Sequence, residues 1–377
     1  MKAVWVGGIF SDEALLRIRA VNQAQNRWSI GLIKGLGKLD WTFSCLAHRA
    51  ERYWPRGKVF PGKPDDFNSS VHPVMVPIIN LPGIRNRYMK FAYRSRFKKY
   101  LQRGEKPDVL ITYNPLPWHV PVAKYAVSEV GIPWISITLD LKYPGDKMEY
   151  FSELNRLATG QVILSWWGYE NCPLSPKLHL DGGYEQLHND EAEYLPDSPR
   201  IILYSGKYSD YGGDQLLVDI IRNDSNKNHE YWLLGKGENP QIEELGRRDH
   251  RVKRFGFVSE TRLDELCRKA HVFLNPRPSS FADNLMTFPS KLLFYLSFGK
   301  PVVSTFTPGI APEYKQYLHV PKNETYEGFL SAVHGATGLT ETERKQERDR
   351  ILAFLKKSKS WSAQAVRFDR FCRELIH

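Results

Sequence analysis

Strand-sized apolar runs alternate with stretches of helical period along most of this chain, and that alternation restricts its fold more than any other feature. Lys2–Gly7 is a short apolar run closing on Gly7-Gly8, and Trp28–Lys38 follows with Ile30, Ile33 and Leu36 on one side of a helix. Val71–Asn80, Val109–Tyr113, Trp134–Leu139 and Gln161–Ser165 read as further strands. The second half repeats the logic. Strands are expected at Ile201–Ser205, Tyr231–Leu234, His271–Asn275 and Pro301–Ser304, and helices at Gln215–Ile221, Arg262–Ala270 and Ser290–Phe298. Strand-then-helix order places parallel sheets between layers of helices, so the fold class is α/β.

One core rarely grows past about 250–300 residues, so 377 residues predict two domains. The polar stretch Asp181–Pro199, with two prolines, is the expected linker. We therefore expect two doubly wound, Rossmann-like domains facing a central cleft. Residues 1–190 form the first and residues 191–355 the second, with residues 356–377 a helical segment returning to the first. Ligands of such sheets bind at the carboxyl ends of the strands. No apolar run approaches the length that spans a bilayer, and Met1–Phe10 lacks the pattern of a signal peptide. Four scattered cysteines contain no CxxC pair and give no zinc signature. A cytoplasmic protein is expected.

The net charge is +11, and its excess is uneven. Residues 1–190 hold 25 basic and 17 acidic side chains. The densest stretch, Ile84–Arg103, has eight basic residues, five aromatics and no acid. Such a mixture suits an anionic membrane surface, with Arg94, Lys98 and Lys99 facing it. A helix with one buried face and solvated charges explains the stretch equally well. No nucleic-acid motif is present, so no nucleic-acid partner is expected.

The phosphate-binding loop pattern is missing, because Gly299-Lys300 is followed by Pro301. Gly235-Lys236-Gly237 lacks the third glycine of a dinucleotide fingerprint. No Asp-x-Asp pair exists to hold a metal-bound diphosphate, which points to chemistry without a metal.

The most informative region is Arg251–Thr305. It contains Gly256-Phe257-Val258, Asn275-Pro276, Pro289-Ser290-Lys291-Leu292, Tyr295-Leu296 and Gly299-Lys300-Pro301-Val302-Val303. In order and spacing it resembles the donor-binding half of GT-B glycosyltransferases, most closely glycosyltransferase family 4 of the bacterial polysaccharide type. Tyr204-Ser205-Gly206-Lys207 resembles the strand end that opens that half. Lys106–Tyr113 and Gly131–Leu141 resemble two strands of the other.

The resemblance implies transfer of a sugar from a nucleotide-diphosphate donor to a hydroxyl of a glycan or lipid-linked glycan, with retention. The nucleotide-sugar is a substrate, and no cofactor is implied. A diphosphate leaving group gathers negative charge, which cations and helix amino termini can stabilise. Pro289 suits a helix start, so Ser290 and Lys291 are expected at the phosphates. Gly206, Lys207, Gly235, Phe257 and Val258 complete the expected donor site, and Asn284 is the favoured sugar contact. Four positions depart from the family. Lys207 stands where Arg is usual, Gly212 where a second cation is usual, and Met286 and Phe294 where a pair of glutamates would fall. The last departure keeps open an alternative: a non-catalytic GT-B-like binding or scaffold protein with a degenerate donor site.

In the first domain Gly7 and Gly8 allow a backbone to approach a ligand closely. Asn26 and Arg27 precede the first helix near the implied diphosphate-facing loop, and Asn26 equally suits a helix cap. His119 and Asp140 follow strands, where the family often places a group that orients or deprotonates the acceptor.

Overall fold

A computed structural model describes residues 1–11, 13–14, 23–62, 67–104, 106–138, 156–184, 186–188 and 198–376. The chain divides into two compact units. Unit 1 is Met1–Gly183 with Ser360–His377, and unit 2 is Tyr184–Lys359. These boundaries replace the expected ones at 190 and 355; much of the expected linker, residues 189–197, lies outside the described residues.

Unit 1 contains β1 (Lys2–Val6), α1 (Gln23–Gly37), β2 (Thr42–Ala47), β3 (His72–Met75) and α2 (Arg85–Gln102). There follow β4 (Val109–Tyr113), α3 (Val120–Tyr125), β5 (Trp134–Thr138), β6 (Gly160–Ile163), α4 (Trp166–Asn171) and β7 (Lys177–His179). The strands form one sheet in the order β3-β2-β1-β4-β5-β6-β7, every described pair parallel. Central strands β4 and β5 are buried at every residue, as sheets covered on both faces require. On one face α1 packs Trp28, Leu32 and Leu36 into a core that includes Phe368 and Cys372 from the end of the chain. On the other face α2 buries Met89, Tyr93, Phe97 and Tyr100, the stripe its helical period selects. Lys90, Arg94, Lys98 and Lys99 stay exposed, and Arg94 and Lys98 rest over the ring of Tyr125 at 5.1 and 4.7 Å.

Several expected elements differ in length. The strand expected over residues 71–80 pairs only at His72–Met75, because Pro77 cannot donate to a ladder. The first helix begins at Gln23 rather than Trp28.

Unit 2 contains β8 (Arg200–Lys207), α5 (Asp214–Asn223), β9 (His229–Lys236), α6 (Pro240–Arg248), β10 (Val252–Gly256), α7 (Glu260–Lys269) and β11 (Val272–Asn275). It continues with α8 (Ala282–Met286), α9 (Lys291–Leu296), β12 (Val302–Ser304), α10 (Tyr326–Thr337) and α11 (Glu341–Phe354). Its parallel sheet runs β10-β9-β8-β11-β12, so the strand order reverses between β8 and β11. Lys300 is buried between α9 and β12. Its ammonium donates to the carbonyls of Cys267 (3.1 Å) and Ala270 (2.6 Å), closing the end of α7. Burial pushes its pKa down to about 7.

The last helix, α12 (Trp361–Ile376), belongs to unit 1. It lies against α1, where a Cβ on Gly31 would stand 2.1 Å from the Trp361 ring and one on Gly35 2.6 Å from the Trp361 carbonyl. Only glycine admits this approach. Trp41 Nε1 donates to Asp369 (2.7 Å) and Gln364 Nε2 to the Gly182 carbonyl (2.6 Å), fastening the helix further.

Candidate functional site

The carboxyl edge of the unit 2 sheet gathers most of the expected donor residues. β8 ends on Gly206-Lys207, in register with Gly235-Lys236 at the end of β9. A Cβ on Gly235 would lie 1.8 Å from the Gly206 carbonyl oxygen, so this crossing of strand ends requires a glycine. Over it lies the start of α9. Tyr295 stacks on Phe273 at 4.5 Å, and its hydroxyl donates to the Ser205 carbonyl (3.1 Å) and accepts from the Ser205 N–H (2.9 Å). Lys291 is four residues earlier, on the same helical face. Its ammonium consequently comes to rest beside Gly206, 2.7 Å from where a Cβ on that glycine would be.

Lys291 keeps solvent access, yet protein crowds its ammonium. That desolvation, reinforced by the neighbouring charge of Arg277, pushes its pKa down to about 8. Arg277 follows β11 in a loop tied to the loop after β8. Asn284 Nδ2 donates to the carbonyls of Tyr211 (2.7 Å) and Pro278 (2.8 Å), and the lack of a side chain on Gly213 admits the Pro276 carbonyl. Among the described residues the half-buried Arg277 guanidinium makes no hydrogen bond, and burial lowers its pKa. The Lys207 ammonium likewise has no described partner. Four buried polar atoms along this edge also lack partners among the described residues: Ser209 Oγ, Asn284 Oδ1, Thr305 Oγ1 and Thr307 Oγ1. Buried polar groups are normally satisfied, so cations and polar atoms left open together make this edge the candidate site for a polar, anionic ligand.

At the β10 end Phe257 is 70% exposed, with the Lys236 ammonium 3.7 Å from its ring centroid, while Val258 is half-buried. Ser290 is exposed and makes no capping bond; the helix starts at Lys291, so Pro289 stands before the cap and not in the first helical position. Asn284, expected to touch a sugar, is fully buried with its amide nitrogen committed to the two loops.

Residues 199–336 match the family model described as glycosyl transferases group 1. No curated protein matches the chain in sequence. Solved structures match over essentially its whole length. One is the apo lipopolysaccharide outer core galactosyltransferase WaaB (14% identity, 99% of both chains, TM-score 0.66). Another is sucrose-phosphate synthase from Thermosynechococcus elongatus (15% identity, 100% of this chain and 99% of that one, TM-score 0.69). A third is HepE from Anabaena in complex with UDP and glucose (12% identity, 99% of both chains, TM-score 0.65). The fold is that of the GT-B glycosyltransferases.

Within this GT-B chain the expected unit 1 residues are mostly structural. Asn26 lies in the first turn of α1, not before it. It is buried, its Oδ1 accepting from the Phe10 N–H (2.9 Å) and its Nδ2 donating to the Phe10 carbonyl (3.0 Å). It therefore holds the loop after β1 and offers nothing to a ligand. Arg27 is exposed. Gly7 has φ 137°, and a Cβ on Gly8 would strike the Phe10 ring at 2.2 Å, so these glycines shape the loop itself. His119, expected after a strand to orient or deprotonate the acceptor, is buried against Tyr93 and Trp118, and its Nδ1 accepts from the Leu116 N–H at 3.4 Å. Burial and the nearby His48 push its pKa down to about 3, so it is neutral at physiological pH. Asp140 lies outside the described residues.

Sequence reasoning missed Arg277 and the fastening role of Tyr295. A lone arginine between prolines has no periodic signal, although Tyr295 was visible within the Tyr295-Leu296 motif. Among the described residues, one group of His and acidic side chains has the spacing to hold a metal ion: Asp224, His229 and His334. It sits at the amino edge of the unit 2 strands, away from the open cations. It is a closed hydrogen-bond network. The Asp224 carboxylate meets His229 Nδ1 and the Tyr231 hydroxyl at 2.6 Å and His334 Nε2 at 3.0 Å. Asn226 Oδ1 accepts from the Asn228 N–H, which turns Asn226 Nδ2 toward His229 Nε2 at 3.1 Å. That ring nitrogen is thus an acceptor, and the His229 proton sits on Nδ1, facing Asp224.

Proposed function

We propose that this protein moves a sugar from a nucleoside-diphosphate donor to a hydroxyl of a glycan or lipid-linked glycan, with retention and with no metal or other cofactor. Unit 2 takes the donor and unit 1 serves the acceptor. The observation that carries the reading is the set of open cations, Lys207, Arg277 and Lys291, at one sheet edge inside the segment that matches group 1 glycosyl transferases. As the bond from sugar to phosphate breaks, the leaving diphosphate gains charge. Preplaced cations stabilise that charge without the reorganisation that water would need. Arg277 brings a guanidinium fork, the geometry that the lysine at 207 lacks. That the Anabaena structure of the same fold was solved with UDP and glucose supports a nucleotide-sugar donor here. The expected site of action is the cytoplasm, at the inner face of the membrane.

A second reading rests on Met286 and Phe294. Met286 is buried, and Phe294 packs against Phe298 with ring centroids 5.2 Å apart, so neither position offers a carboxylate to a donor. A protein that had lost donor turnover while keeping the fold would look the same there. Incubation with a panel of nucleotide-sugars separates the readings. Nucleoside diphosphate released from one donor, increased by a glycan or lipid-linked acceptor, supports the enzyme; binding without release from any donor supports the second reading.

A further inference from the structure

The charged helix α2 cannot meet a partner with its aromatic face, because Met89, Tyr93, Phe97 and Tyr100 are buried in unit 1. Its outward stripe is different. Ile84, Arg87, Phe91, Arg94 and Lys98 recur at spacings of three and four residues and share one exposed face. Phe91 is 70% exposed among the stripe's three cations, and Ile84 is 49% exposed at the helix start.

The loop before the helix extends this face. Asn80 Nδ2 donates to the carbonyls of Arg52 (2.6 Å) and Lys58 (2.9 Å), and its N–H donates to Val59 (2.8 Å). Arg85 donates to Asn80 Oδ1 (2.9 Å) and places its guanidinium carbon 4.1 Å from the Tyr53 ring centroid. The Tyr53 hydroxyl reaches Asn86 at 3.5 Å. This clamp fixes the loop to the first turn of α2 while Tyr53, Trp54 and Phe60 remain exposed, Phe60 at 71%. Arg52, Arg56 and Lys58 are exposed in the same loop. The one described acid of the loop, Glu51, lies 3.9 Å from Arg49.

We propose that the clamped loop and the outward stripe of α2 form one docking surface for an anionic phospholipid bilayer. Exposed aromatic and apolar side chains enter the headgroup region, and the cations around them meet lipid phosphates. Charge complementarity selects this occupant: a protein partner would not require so one-sided a charge, and a soluble polyanion would not require Phe91, Trp54 and Phe60. The inference builds on the reading of a lipid-linked acceptor, but its test does not depend on catalysis.

The test is co-sedimentation of the full chain with vesicles of phosphatidylcholine alone and with about one-third phosphatidylglycerol. Binding to the anionic vesicles is expected to exceed binding to neutral ones at least tenfold, and to fall with salt. Each of Arg87→Gln, Arg94→Gln and Lys98→Gln is expected to weaken it by about fivefold. Phe91→Ser with Trp54→Ser is expected to weaken it while leaving net charge unchanged. All five positions are exposed, and an unchanged circular dichroism spectrum confirms that the variants fold. Equal binding to both vesicle types overturns the proposal. So does indifference to the Phe91 and Trp54 changes, or binding to dextran sulfate with none to vesicles. Vesicle binding by a protein that binds no nucleoside diphosphate leaves this proposal standing and removes the functional reading instead.

Discussion

The hydroxyl of Tyr295 is hydrogen-bonded to both backbone groups of Ser205, joining the end of α9 to the end of β8. Through that joint the helix carries Lys291 to the glycine at the strand end. Tyr295→Phe leaves the Ser205 N–H and carbonyl without these partners, at a cost of about 1–3 kcal/mol. Chemical denaturation is expected to show that loss, and calorimetry a weaker nucleoside diphosphate complex although no charge has been removed. Unchanged affinity would mean that Lys291 is placed by other contacts.

Lys291→Ala is expected to weaken a nucleoside diphosphate by roughly ten- to a hundredfold, the worth of a charged hydrogen bond, and to leave the nucleoside nearly unaffected. Equal loss for both ligands contradicts a phosphate role. The pH dependence has a defined sign. The Lys291 pKa is about 8, and only the charged form attracts an anion. Affinity is therefore full below that value and declines as pH rises through it.

Arg277→Gln removes the like charge that helps hold the Lys291 pKa down. The decline of affinity with pH is expected to move to higher pH in this variant, while affinity at neutral pH falls. Arg277→Lys keeps the charge and loses the fork, so it is expected to fall between wild type and Arg277→Gln. An unmoved pH midpoint in Arg277→Gln argues that the two cations do not share a ligand.

The Asp224 network is expected to contribute to acid stability. Burial alone would raise the Asp224 pKa, but hydrogen bonds from His229, Tyr231 and His334 hold it far below the usual carboxylate range. A group depressed in the folded state stabilises above its unfolded pKa, about 4, and loses that contribution as pH falls toward the folded value. Asp224→Ala is expected to cost about 3–5 kcal/mol at pH 7, since it strands buried partners. Asp224→Asn is expected to flatten the acid side of the stability curve measured by denaturant. An undiminished acid slope contradicts this assignment.

Transfer, once a donor is found, is expected to persist in excess chelator. Strict dependence on manganese or magnesium contradicts metal-free departure of the diphosphate.

The sheet strands were legible because strands covered on both faces need unbroken apolar runs; Val109–Tyr113 and Trp134–Thr138 show this plainly. The start of α9 was legible from Pro289-Ser290-Lys291. Arg277 was not, because its meaning depends on Asn284 tying two loops that are far apart in sequence. His119 and Asn26 were misplaced for the same reason. Their positions after a strand and before the expected helix put them near a ligand, whereas Tyr93 of α2 packs on His119 and Phe10 of the first loop holds Asn26. The basic stretch Ile84–Arg103 combined both outcomes: its period marked the buried face, but the clamped loop beside Ile84 depends on Asn80 and Arg85 meeting in three dimensions.

The central claim is that the carboxyl edge of the unit 2 sheet holds a diphosphate. Isothermal titration of the full chain with UDP, GDP and dTDP, repeated on Lys291→Ala with Arg277→Gln, tests it most directly. At least one nucleoside diphosphate is expected to bind the wild type, and the double variant is expected to lose this binding while retaining its fold. Failure of all three to bind wild type, or undiminished binding to the double variant, contradicts it.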